Sequence, residues 1–106
     1  MNNVRLEKLK QMEHQKPEDA FLKFAIAQEY ASLGSDDEAK SYYELLLAKF
    51  PAYVPTYYHV GKLYERIGEM NLALEAYKTG IEKAKAVNDM KNLGELNEAL
   101  MLIADE

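Results

Sequence analysis

The chain has 106 residues, a net charge of −5, no cysteine, and 48% apolar against 29% charged side chains, the balance of a folded globular protein rather than a disordered one. This length suits one domain with a thin core; the acidic balance argues against a nucleic-acid partner, and the missing cysteines exclude disulfides and thiolate metal sites. The first residues lack the apolar run of a signal peptide, and no stretch approaches the ~18 apolar residues of a membrane helix, so the expectation is a soluble, cytoplasmic protein with a single domain over 1–106.

The first predicted element is a flanking helix over residues 3–15, with Leu6, Leu9 and Met12 as its apolar stripe, ending before Pro17. Residues 17–50 follow as a helical hairpin. Leu22, Ile26, Tyr30 and Leu33 share one face of its first helix, and Gly34 stops that helix, because glycine readily takes the left-handed conformation of a C-cap. Ser35 and Glu38 have the spacing of a capping box for the second helix, whose apolar face is Ala39, Tyr43, Leu46, Leu47 and Phe50.

A second hairpin spans 51–86. Pro51 and Pro55 suit a linker and a first helical turn. Tyr57, Val60, Gly61 and Tyr64 line its first helix, Gly68 caps it, and Ala73, Tyr77, Gly80, Ile81 and Ala84 line its second. Lys85 stands where Pro51 closes the first unit, so this helix is expected to run on to about Ala86. The last element is an amphipathic helix over 89–104, with Asp89 as its N-cap and Leu93, Leu96, Ala99, Leu100 and Ile103 facing inward. Gly94 weakens it by about 1 kcal/mol relative to alanine.

The two hairpins are copies. Pro17 and Pro51, Ala27 and Gly61, Tyr30 and Tyr64, Gly34 and Gly68, Ala39 and Ala73, Tyr43 and Tyr77, and Leu47 and Ile81 all lie 34 residues apart with no gap. The small residues Ala27, Gly61, Ala39 and Ala73 let paired helices approach to ~8–10 Å. Two repeats leave both ends uncovered, which gives the flanking helices a capping role; the other reading is that one of them pairs with a partner or with a second copy.

This pattern resembles the tetratricopeptide repeat family, through Tyr57, Val60-Gly61, Tyr64, Gly68, Ala73 and Tyr77 in the second unit and Ala27, Tyr30, Gly34, Ala39, Tyr43 and Pro51 in the first. Lys23 departs from it, standing where the family has a large aromatic, a place that Leu22 or Phe24 could fill; Leu46 and Gly80 replace a late alanine. The resemblance implies an all-α fold, a right-handed α–α superhelix of about six antiparallel helices, whose hairpins curve so that each first helix lines a concave groove. It implies a non-catalytic scaffold or adaptor that binds a peptide or protein segment there, with Phe21, Phe24, Gln28, Tyr53, Tyr58, Lys62, Glu65 and Arg66 as the groove residues. The family's clamp for chaperone C-terminal carboxylates needs Lys and Asn where this chain has Phe24 and Gln28, so that specificity is not carried over. The alternative function is structural self-association through an end helix, which leaves a homo-oligomer open. His14 and His59 have no metal-ligand spacing, and no nucleophile elbow or phosphate loop occurs, so no enzyme activity, cofactor or metal is expected; His59 reads as a solvated residue.

Overall fold

A computed structural model describes residues 3–104, and among these every element is helical: α1 Val4–Gln15, α2 Ala20–Ser32, α3 Asp36–Lys49, α4 Pro55–Arg66, α5 Met70–Ala86 and α6 Met90–Ala104. The chain divides at the repeat boundary into two compact units, Met1–Phe50 and Pro51–Glu106.

In the first unit α1 and α3 pack on α2. Leu22, Phe24, Ile26, Ala27, Ala39, Tyr43 and Leu46 form the core, with the rings of Phe24 and Tyr43 6.3 Å apart. Burying each large side chain contributes roughly 1.5–3 kcal/mol. Leu33 departs from expectation: as the C-cap of α2 it has left the helical stripe and is exposed.

α1 is held mainly by polar contacts. It buries no residue completely, Leu6 and Leu9 are half-buried, and Met12 points outward instead of continuing their stripe. Glu13 accepts from Lys23 Nζ at 2.8 Å and from the Tyr42 hydroxyl at 2.9 Å, so one carboxylate ties α1 to both α2 and α3. This explains the departure at Lys23. Its side chain is 9% exposed, and a charge buried that far needs an opposite charge beside it. Arg5 and Asn3 add contacts to Glu29, and Lys10 lies over the Tyr30 ring at 5.4 Å.

The second unit closes around two glycines. A Cβ on Gly61 would stand 2.6 Å from Cζ of Tyr77, and one on Gly80 would stand 2.5 Å from Cβ of Tyr57. Tyr77 and Tyr57 therefore each fill the space left by a glycine on the facing helix, which any larger residue would force apart. The Tyr57 hydroxyl also donates to the Pro51 carbonyl at 2.6 Å, fixing the segment that leads into α4. α6 covers α5 with Leu96 and Ala99, both buried.

The helix ends follow one device used three times. Gly34 (φ +78°), Gly68 (φ +85°) and Asn88 (φ +57°) each donate to the carbonyl three residues back, and the residue after each donates to the carbonyl five back: Ser35 to Tyr30, Glu69 to Tyr64 and Asp89 to Ala84. These are Schellman closures with the C′ residue in the left-handed region. They also overturn the expected capping box. Ser35 makes no side-chain cap hydrogen bond, and its backbone N–H, which Glu38 would have to satisfy, is instead bonded to the Tyr30 carbonyl. True side-chain N-caps occur at Asn3, Asp19 and Asp89, which accept from the backbone N–H of Leu6, Leu22 and Asn92. With no proline at position 85, α5 continues to Ala86.

Candidate functional site

α4 spends Tyr57, Val60, Gly61 and Tyr64 on the core, so the neighbouring positions Tyr58, His59 and Lys62 are left on its flank. α6 crosses beside that flank, with Leu96 and Ala99 turned inward and Glu95, Glu98 and Leu102 turned toward solvent. Between them lies an open cleft of about 410 Å³ lined by Tyr58, His59, Lys62, Glu95, Glu98, Ala99 and Leu102.

Inside the cleft the polar groups are already organised. Lys62 Nζ lies over the Tyr58 ring at 5.5 Å and 3.8 Å from Glu65, so the lysine is held in place by an aromatic face and a carboxylate one turn on. Tyr58 stands edge-on to His59 at 5.3 Å. Burial holds His59 below the ordinary imidazole range, with Glu95 pulling the other way. The solvated role expected for His59 is thus corrected: it is half-buried and forms part of the wall. Glu65 accepts a hydrogen bond from the Tyr77 hydroxyl, and burial together with that bond pushes the Tyr77 phenol far up. The cleft's lysine therefore rests on a carboxylate that is anchored in the core.

The remaining groove residues are placed as follows. Tyr53 lies just before α4 and is half-buried, and Arg66 is exposed in the last turn of α4. On α2, Phe21 is exposed, Gln28 is half-buried, and Phe24 is buried against Tyr43. Phe24 accordingly belongs to the core, taking part of the place that Lys23 leaves. Sequence reasoning missed Glu95, Glu98 and Leu102 as companions of Tyr58 and Lys62. They sit on the outward side of α6, and helical periodicity alone does not show that this side borders α4.

The tetratricopeptide repeat family profile matches residues 22–48 and 54–86, the bodies of the two hairpins. No curated protein matches the chain. Among solved structures, a tetratricopeptide repeat domain protein from Salinibacter ruber is 40% identical in its crystal form, covering 79% of this chain and 93% of that one with a TM-score of 0.76. Its solution structure gives 41% identity, 80% and 86% coverage and a TM-score of 0.77. A solution structure of a Bordetella parapertussis protein is 25% identical over 99% of this chain and 90% of that one, with a TM-score of 0.81. With the 34-residue register, the paired hairpins and these matches in agreement, the chain belongs to the tetratricopeptide repeat family.

Proposed function

We propose that this protein is a non-catalytic scaffold that binds a peptide or protein segment, and that the cleft between α4 and α6 is its docking surface on the second unit. Tetratricopeptide repeat domains in general are protein–protein interaction modules, and the observation that carries the reading here is the composition of that cleft. An aromatic face, a pre-positioned lysine, two outward carboxylates and an apolar rim at Leu102 suit a peptide, which offers backbone polar groups, charges and apolar side chains together. Holding Lys62 on Tyr58 and Glu65 before binding reduces the side-chain entropy lost on contact. Tyr53 and Arg66 extend the surface along α4, and the exposed Phe21 offers a separate aromatic contact on the first unit.

The test is display of a random peptide library against the folded chain, followed by binding of enriched peptides to Tyr58→Ala/Lys62→Glu. The proposal expects affinity to fall about tenfold or more, while the variant keeps its helical circular dichroism. Peptides that bind the variant as well as the parent would refute it.

A further inference from the structure

Gly94 has no packing partner among the described residues. A Cβ there would meet nothing within 4 Å, whereas Gly61 and Gly80 are each filled by a tyrosine of a facing helix. A glycine in a helix interior is costly, and this fold otherwise spends it where another helix comes close. Gly94 lies on the outward side of α6 with Glu98, Met101 and Leu102, spaced i, i+4, i+7 and i+8, and Met101 and Leu102 are each 68% exposed.

α1 carries a matching stripe. Val4, Lys8 and Met12 are spaced i, i+4 and i+8, and all three are exposed, away from the Leu6, Leu9 and Glu13 side that meets α2. Set antiparallel, as the hairpin helices of this fold pack, the stripes correspond: Val4 meets Met101 and Leu102, Lys8 meets Glu98, and Met12 lies over Gly94. The surrounding charges agree. Arg5, Lys8, Lys10 and Lys16 outnumber Glu7 and Glu13 on the α1 segment, and Asp89, Glu95 and Glu98 outnumber Lys91 on the α6 segment. The repeat phase agrees too, because α1 stands where a second hairpin helix belongs and α6 where a first one does.

We propose that α6 of one copy packs antiparallel on α1 of a second copy, joining chains head to tail. The two patches differ, so the contact is heterologous and leaves a free α1 at one end and a free α6 at the other, allowing open-ended growth. This proposal rests on Gly94 and the paired stripes rather than on peptide binding. Because Glu98 and Leu102 also border the cleft, the test uses Val4, Met101 and Gly94, which do not line it.

The experiment is sedimentation equilibrium of the 106-residue chain, from about 10 μM to about 1 mM, the range in which a small contact shows itself. Mass is expected to rise past the dimer without a plateau. Val4→Glu and Met101→Glu, both exposed sites, should each be monomeric alone and form a species of two chains, and no more, when mixed. Gly94→Leu should weaken association about tenfold without lowering the melting temperature of the monomer. A chain that stays monomeric throughout, or association that survives Val4→Glu and so reflects α6 pairing with itself, would overturn the proposal.

Discussion

Three glycines show how one residue type is used in different ways. Gly68 sits at φ +85°, where a β-branched side chain is strained, so Gly68→Val should cost about 1–2 kcal/mol or more. Gly61 has an ordinary backbone but faces the Tyr77 ring, so even Gly61→Ala overpacks the hairpin, by about 1–3 kcal/mol. Gly94 has open space, and Gly94→Ala should stabilise the monomer by up to about 1 kcal/mol. Thermal melts of the three variants at low concentration check the order. A Gly61→Ala protein as stable as the parent would remove the tight tyrosine–glycine packing from the account. Gly34 and Gly68 were legible in the sequence because a left-handed cap leaves a local signature. Asn88 was not, because asparagine is tolerated in that conformation without requiring it.

At the scale of elements, α1 depends on its carboxylate. Glu13→Ala strands the buried Lys23 ammonium and should cost about 2–3 kcal/mol, somewhat below the penalty of complete burial because Glu13 keeps partial access to water. Replacing both partners with apolar residues, as in Glu13→Leu/Lys23→Met, should restore most of that loss. Urea denaturation of the single and double variants measures both; equal loss in the two would mean that the pair itself adds stability. The same contact governs Tyr42, whose phenol is pushed up to about 12, first by burial and then by its bond to Glu13. The folded protein holds this proton more tightly than the unfolded chain, where a tyrosine titrates near 10. The stabilisation is therefore complete below pH 10 and is lost as pH rises from 10 through about 12. Glu13→Gln should bring Tyr42 partway down, because burial remains, and the ultraviolet absorbance of phenolate reads the change.

Helix number, helix order and repeat register could be read directly from the chain, since periodicity and the 34-residue spacing are local properties. Lys23 could not. It looked like a flaw in the repeat, and it makes sense only once Glu13, which lies outside the repeat, is beside it. Nor could the end of α2 at Ser35: its backbone N–H, one of the two donors that a capping box would use, is taken by the closure of the preceding helix.

For the molecule as a whole, the account places function on surface that the repeat leaves unspent. The core fixes Tyr57, Gly61 and Tyr64 by geometry, while Tyr58 and Lys62 beside them keep part of their surface exposed. Only the α4 side of the cleft was legible, and only in part: Tyr58 and Lys62 lie next to the core positions of their own helix, whereas Glu95, Glu98 and Leu102 join them only through the packing of α6. Acidic, apolar and cationic groups within one cleft of about 410 Å³ favour a short peptide segment over a single small ion or a broad charged surface. The most direct measurement is a nuclear magnetic resonance titration of the labelled chain with a library-selected peptide. The account predicts saturable shift changes concentrated at Tyr58, His59, Lys62, Glu95, Glu98 and Leu102. Changes that saturate elsewhere while these residues stay unperturbed would contradict it.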